Sequence, residues 1–427
     1  MLDINFIREH PDEVKKVLAD RQMGQAEQVD RAVELDAQRR ALLAEVEQLK
    51  GQRNVASKEI GRIKDMAERE ARIAEQQGLG ERISAMDEQV RQVEGELYST
   101  VSALPNLIDP RTPYGKGDED DVLLKTAGEP KSFDFEPKPH WELGPALGIL
   151  DFERGVKITG SRFYVLVGAG ARLQRALIAW MLDLHTQRQG YTELYPPFIV
   201  NGDTMFGAGQ LPKFADNLYK DHEEDLYMVP TAEVPVTAIH RDEILEPEDL
   251  PRYYAAYTPC FRREKIAAGR DVRGIKRGHQ FDKVEMYMFT RPAESNAALA
   301  KMLADAEETC TLLGLTYRVK QLSTAGIGFS ARITYDIEVW APGCGEWLEV
   351  SSVSNCYDFQ ARRSNIKYRP ARGAKAEFVH TLNGSGLGLP RTLIGVLENY
   401  QQADGSVVVP DILKPWMGGI ERIGPDG

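Results

Sequence analysis

The sequence predicts an α+β protein: an N-terminal antiparallel coiled-coil hairpin, then a mostly antiparallel sheet flanked by helices. Three observations carry that expectation. Two heptad runs span about 27–104, with a polar stretch between them. A proline- and glycine-rich stretch, 105–139, follows. From residue 140 onward, short alternating runs take turns with amphipathic helical ones. The boundaries are therefore 1–104 for an N-terminal domain, 105–139 for a linker region and 140–427 for a larger second domain.

Residues 1–20 read as a short amphipathic helix, with Ile4, Ile7, Val14, Val17 and Leu18 on one side and Pro11 near a helix start. In the first heptad run Leu35, Leu42, Leu49, Ala56 and Ile63 recur every seven residues, with Arg39, Val46, Arg53 and Ile60 between them. The second steps through Leu79, Ile83, Met86, Val90, Val93, Leu97, Thr100 and Leu104. Two such helices joined by a polar tip make an antiparallel hairpin. Gly51, Gly61, Gly78, Gly80 and Gly95 each cost about 1 kcal/mol against Ala, and Arg39 and Arg53 interrupt the seam. The hairpin is expected to be firm at its base and loose towards its tip. Between residues 50 and 64, Lys50, Arg53, Lys58, Arg62 and Lys64 stand against a single acid, Glu59. A solvated coiled-coil surface and an arm that touches phosphates both fit that pattern.

The second domain centres on Thr258 to Phe289, which carries Arg262, Arg263, Lys265, Arg270, Arg273, Lys276, Arg277 and Lys283. It reads as a strand to about Glu264, a basic glycine-bearing loop, and a strand in which Phe281, Val284, Met286 and Met288 are interleaved with Asp282, Glu285 and Tyr287. Guanidinium forks on a strand and its loop suit a polyanion; charge alone also fits a solvated loop. Upstream, Ser161 to Gly168 reads as a strand and Ala171 to Gln189 as an amphipathic helix ended by Gly190. Thr231-Ala232-Glu233 is polar within an apolar setting, and a turn explains it equally well.

Downstream, Trp347 to Asn355 reads as a strand. Regular alternation places Glu349 and Ser352 on opposite faces unless a bulge intervenes. Glu349, with Ser352 nearby, suits a magnesium ion, which takes carboxylate and phosphate oxygens; a solvent-facing strand residue explains Glu349 equally well. Phe378 to Leu382 reads as a short strand running into Asn383-Gly-Ser-Gly-Leu-Gly388 and then a helix from Pro390. The glycine spacing is not that of a dinucleotide fingerprint, and no βαβ unit follows; the glycines instead let a strand approach a helix or a ligand closely. Arg391 falls in the first turn of that helix, where anions are favoured.

The whole chain has a formal net charge of −12, so nucleic-acid contact must use local basic patches. Cys260, Cys310, Cys344 and Cys356 are widely spaced, without a C-x-x-C, and read as thiols in a reducing compartment rather than as ligands. No apolar run approaches the roughly 18 residues needed to span a bilayer, and Asp3 and Glu9 do not suit a leader. A cytoplasmic protein without a membrane partner is expected.

These segments, in this order, resemble bacterial seryl-tRNA synthetases, a class II aminoacyl-tRNA synthetase family. The resemblance rests on the heptad hairpin, LHTQRQGYTELYPPF, TAEVP, FRRE…GRDVRGIKRGHQFDKVEMY, EVSSVSNCYDFQARR and LNGSGLGLPRTLIGVLENYQ, and covers nearly the whole chain. It implies the class II antiparallel sheet and a catalytic role for 140–427. It also implies activation of L-serine by ATP with Mg²⁺ and transfer to tRNA-Ser, and to tRNA-Sec where the organism has it. A homodimer is implied, with the first motif, up to Pro197, at its interface.

By the same resemblance, Thr231, Ala232 and Glu233 match the serine-binding triplet. Glu285 matches the carboxylate on the substrate's amino or hydroxyl group. Ser385 matches a second partner of that hydroxyl, with Asn383 beside it. Arg262 matches the guanidinium on the α-phosphate and substrate carboxylate. Glu264 matches the adenine-binding acid, and Phe281 the ring that stacks on adenine. Glu349 and Ser352 match metal and ATP ligands, and Val350 and Ser351 lie between them in the ATP segment. Arg391 matches the third-motif arginine. The basic set Lys50, Arg53, Lys58, Arg62 and Lys64 falls on the tRNA-binding arm. The family usually reads FRSE followed by small residues; here Arg263, counted with the ATP site, and Lys265 depart from it. A relative that loads a carrier protein would lack the hairpin. A catalytically silent paralogue that binds tRNA through the arm would not need the set Arg262, Glu264, Glu285, Glu349, Ser385 and Arg391.

Overall fold

The computed structural model describes residues 1–23, 26–265 and 273–424. It forms two compact units, Met1–Leu107 and Ile108–Gly427. Among the described residues, no helix is long and apolar enough to cross a membrane.

In the first unit the N-terminal segment is two helices, Ile4–Glu9 and Pro11–Asp20, because Pro11 starts the second at its first turn. The hairpin helices are Ala26–Ile60 and Met66–Ser102, and Asp65 Oδ1 caps the second by accepting from the Glu68 N–H at 2.9 Å. Val29, Ala32, Leu35, Val46 and Leu49 are buried on the outgoing helix, and Ile83, Met86, Val90, Val93, Leu97 and Val101 on the return. Arg39, an interruption in the heptad, reaches across to Glu94 at 2.8 Å, and Arg82 pairs with Glu45 at 2.6 Å. These exposed pairs contribute modestly. Beyond Leu49 no further outgoing residue is buried. There a cavity of about 620 Å³ separates the helices, lined by Ala56, Ile60, Gly78 and Leu79 among others. Small seam residues leave the distal half loosely packed.

The second unit is built on one eight-stranded sheet. Its strands are β1 (Val122–Ala127), β2 (Thr192–Leu194), β3 (Arg252–Phe261), β4 (Gln280–Thr290), β5 (Tyr317–Gln321), β6 (Ile333–Ala341), β7 (Glu346–Tyr357) and β8 (His380–Gly388). Their order is β1-β5-β6-β7-β8-β4-β3-β2. The sheet is mixed: β2 pairs with β3 in parallel, and the other ladders are antiparallel. The stretch read as a linker supplies the edge strand β1, which its prolines and glycines conceal.

Helices Ala169–Asp183, Ser295–Leu312 and Leu389–Asn399 cover one face. Their Leu173, Leu177, Leu299, Met302, Leu393 and Leu397 share a core with Val284, Met286 and Met288 of β4. Alternate β4 residues, Tyr287 and Phe289, join a separate cluster with Ala256 and Val379. By the same parity Lys283 and Glu285 look away from the helices. Phe281, grouped by its apolar character with Val284, has their parity instead.

Two further expectations are corrected. The strand foreseen over Ser161 to Gly168 is only Val165–Leu166. The glycine-rich Asn383–Gly388 lies within β8 and does not follow it. The glycines are needed because β8 is approached closely: a Cβ on Gly386 would lie 2.1 Å from His185 Nε2. His185 sits in a π-helical turn, Leu184–Arg188, that ends the long helix before Gly190.

Candidate active site

The two strands of the β3–β4 hairpin pair as read, with Thr258 opposite Lys283 and Phe261 opposite Gln280, but β3 ends at Phe261 and not near Glu264, and 266–272 of the connecting loop lie outside the described residues. Beyond the strands, Arg262 N–H donates to the His279 carbonyl at 2.9 Å, which holds the basic segment at the sheet end. Of the eight basic residues, Arg270 lies outside the described residues. A cavity of about 280 Å³ opens beside this hairpin. Glu233, Arg262, Glu264, Phe281, Glu285, Glu349, Val350, Ser352, Asn383, Ser385 and Arg391 all line it. These residues come from five separate stretches of chain.

At one part of the cavity Glu285 is buried, 1% exposed. It accepts from Thr231 Oγ1 and from Asn383 Nδ2, each at 3.4 Å, and forms an ion pair with Lys283. Glu285 sits opposite Ser385 in the β4–β8 register. Glu233 starts a short helix, Glu233–Thr237, and its Oε1 accepts from Gln360 Nε2 at 2.6 Å. Gln360 is itself fixed by Tyr287 and Thr381, which donate to its Oε1 at 2.9 and 2.7 Å. Burial, and then the nearby Glu285 charge, push the Glu233 carboxyl up to about 7.

Elsewhere in the lining the groups are cationic. Arg262 stands 5.1 Å from the Phe281 ring centroid and donates from Nε to the Pro230 carbonyl at 3.1 Å. Arg277 pairs with Glu264 at 3.5 Å. Arg391 donates to the Glu349 carbonyl at 2.8 Å and lies 3.4 Å from its carboxylate. Lys276 pairs with Glu346 and stands over the Trp141 ring.

The β6–β7 ladder slips its register between Ile337 and Glu338, so Ile337 faces Ser351 while Glu338 faces Glu349. This bulge at Val350 brings Glu349 and Ser352 to the same cavity, against strict alternation. Asp336, which no motif or spacing in the sequence singles out, faces Ser352 across that ladder. It is buried, and its Oδ1 has no hydrogen-bond partner among the described residues. Burial and the Glu349 charge push its carboxyl well above the usual range. Carboxylate and hydroxyl oxygens, one of the carboxylate oxygens without a partner, are a donor set that fits Mg²⁺.

Four expected site residues do not line the cavity. Ser351 faces elsewhere and donates to the Ser385 carbonyl at 2.6 Å, because the bulge turns its side chain into the ladder. Thr231 and Ala232 are buried, and Thr231 reaches the cavity only through its hydrogen bond to Glu285. Arg263 is held by its backbone N–H on the Asn217 carbonyl at 3.0 Å. Lys276, Arg277 and Lys283 line it without having been given a place there. Their signal was the basic run itself, which does not say which members turn inward.

Comparison with known proteins gives the family. The family model for the tRNA synthetase class II core domain (G, H, P, S and T) matches residues 214–400, and that for the seryl-tRNA synthetase N-terminal domain matches residues 1–108. The chain belongs to the seryl-tRNA synthetase family. It is a class II aminoacyl-tRNA synthetase, a serine–tRNA ligase. The serine–tRNA ligase of Roseiflexus sp. is 64% identical over 423 residues, 99% of each chain. The seryl-tRNA synthetase of Pyrococcus horikoshii, solved with ATP, superposes with a TM-score of 0.93 at 37% identity over 100% of both chains. The cytoplasmic serine–tRNA ligase of Naegleria fowleri, solved with AMP, gives a TM-score of 0.86 at 30% identity, covering 99% of each.

Proposed function

We propose that this synthetase joins serine and ATP in the β3–β4 cavity and passes the serine to tRNA-Ser. One observation carries the reading. A single cavity is lined both by Arg262, Lys276, Arg277 and Arg391, suited to phosphate, and by Glu233, Glu285, Asn383 and Ser385, suited to a small polar amino acid. The ATP complex of the Pyrococcus relative supports the first half.

In this reading the serine carboxylate attacks the α-phosphorus, the bond to the pyrophosphate oxygen breaks, and seryl-adenylate forms. A carboxylate nucleophile needs no general base. Arg262 meets the charge that gathers on the phosphate oxygens, and the fixed pocket supplies orientation. Phe281 carries the adenine ring, with Glu264 at its edge, and Arg391 holds the distal phosphates. Glu349, Ser352 and Asp336 would hold Mg²⁺, which supplies further positive charge to the phosphates when bound. Glu233 and Glu285 divide the serine ammonium and hydroxyl between them. Alanine leaves those buried groups unpaired, a penalty worth a factor of about 10⁴. In the second step a hydroxyl of the tRNA 3′ end attacks the seryl carbonyl and AMP leaves. Serylation of a tRNA-Ser transcript, and none of a periodate-oxidised one, tests this reading.

The raised Glu233 acid gives a pH dependence. Below about 7 the carboxyl is mostly protonated and offers no charge to an ammonium group; above it the carboxylate is present. The kcat/KM for serine in pyrophosphate exchange should therefore rise between about pH 6 and pH 8, following the free enzyme. Glu233→Gln should flatten that limb.

The arm is proposed to grip tRNA through Lys50, Arg53, Lys58, Arg62 and Lys64. Lys50 is already paired with Asp87 at 3.0 Å, whereas Lys58, Arg62 and Lys64 are exposed. Replacing these last three by alanine should cut tRNA charging about tenfold to a hundredfold near physiological salt and reduce its salt dependence. Serine-dependent exchange should be unchanged. tRNA-Sec is proposed as a second acceptor on family grounds. A homodimer built on the first motif agrees with the 80% exposure of Tyr195 and with exposed Ile199 beside it.

A further inference from the structure

Away from this cavity, three side chains distant in sequence meet. His140 opens the helix His140–Ala146, Cys344 lies in the turn between β6 and β7, and Glu398 is near the end of helix Leu389–Asn399. His140 Nδ1 is 2.9 Å from Glu398 Oε1, Cys344 Sγ is 3.1 Å from the same oxygen, and Nδ1 and Sγ are 3.7 Å apart. Donors held at zinc-ligand distances and tetrahedral angles lie roughly 3.3–3.6 Å apart. The three atoms thus stand near the geometry of one face of such a site. His140 and Glu398 are wholly buried, and Cys344 is partly exposed, which gives an ion a way in.

The charges also match. A thiolate and a carboxylate together neutralise a divalent cation, so the filled site buries no net charge. Burial, and then the Glu398 charge, push the Cys344 thiol up; a bound cation reverses both effects. Glu398 stays ionised: burial pushes its carboxyl up, but hydrogen bonds from His140 and Cys344 outweigh that and hold it below its ordinary value.

We propose that His140, Cys344 and Glu398 form a binding site for a thiophilic divalent cation of the zinc class, and that filling it weakens ATP binding. The coupling runs through the imidazole. His140 Nε2 accepts from the Ile275 N–H at 3.1 Å, so the ring proton is on Nδ1 and is donated to Glu398. An ion on Nδ1 moves that proton to Nε2, where it meets the Ile275 N–H donor to donor. The hydrogen bond is lost. The Cys344 thiol loses its proton to solvent, so one proton leaves for each ion bound. The loop has little slack against the ring: a Cβ on Gly274 would be 2.0 Å from Nε2. The next residue, Lys276, lines the ATP cavity. The ATP half of the inference rests on that assignment; the binding half does not.

The test titrates Co²⁺ into the metal-free full-length enzyme and reads its absorbance. A thiolate-to-cobalt charge-transfer band saturating at about one equivalent, with about one proton released, is expected. Cys344→Ser should lack the band while keeping the same exchange activity without added ion. With Zn²⁺ present, the KM for ATP in serine-dependent exchange should rise roughly fivefold, the order expected for losing one hydrogen bond. The variant should not respond. No band, or the same band in Cys344→Ser, overturns the site. A band with an unchanged KM for ATP overturns the coupling. Absence of exchange before any ion is added would instead count against the ATP assignment.

Discussion

Arg262→Ala should lower serine-dependent ATP–pyrophosphate exchange by about 10³-fold, with kcat carrying most of the loss. The guanidinium is placed by its backbone on the His279 carbonyl and by Nε on the Pro230 carbonyl. Those contacts leave its remaining N–H groups for the cavity. They also hold it ready, so little reorganisation is needed as charge develops on the α-phosphate. Arg262→Lys should recover only a small part, because an ammonium lacks the fork that meets two oxygens together. A loss confined to the KM for ATP would show that Arg262 merely binds the ground state.

Glu285→Gln should lower kcat/KM for serine by about 10²- to 10³-fold and leave the KM for ATP nearly unchanged. Glu285 is fully enclosed, receives Thr231 and Asn383, and balances Lys283. The amide removes the charge offered to serine and strands the buried lysine. Breaking one side of such a pair typically costs about 3–5 kcal/mol. Part of that cost falls on folding, so a denaturation curve of the variant is needed beside the kinetics. Equal losses for serine and ATP would point to collapse of the cavity instead of a serine contact.

Much of the architecture was legible because burial follows period. Leu35, Val46 and Leu49 on the outgoing helix, with Ile83, Met86 and Val90 on the return, are buried where the heptads place them. The basic hairpin was legible because alternation and glycines bracket it. What stayed hidden depends on register. Glu349 and Ser352 share the cavity only through the bulge at Val350, and alternation alone separates them. Asp336 gains its place from the strand opposite. The close approach that the glycines of β8 allow was legible, and it is to His185; that they lie inside the strand was not. His140, Cys344 and Glu398 meet only through the packing of a helix, a turn and a second helix, and no spacing in the sequence announces that. The resemblance drew together most of the residues that line the cavity; Lys276, Arg277 and Lys283 were visible as charge without direction.

The central claim is that one cavity takes serine and ATP together. ATP–pyrophosphate exchange, run without tRNA and with Mg²⁺ for each of the twenty amino acids, tests it most directly. Exchange that depends on serine, with alanine weaker by about 10⁴, is the predicted result. No exchange with serine from folded enzyme, or equal exchange with alanine, would contradict it.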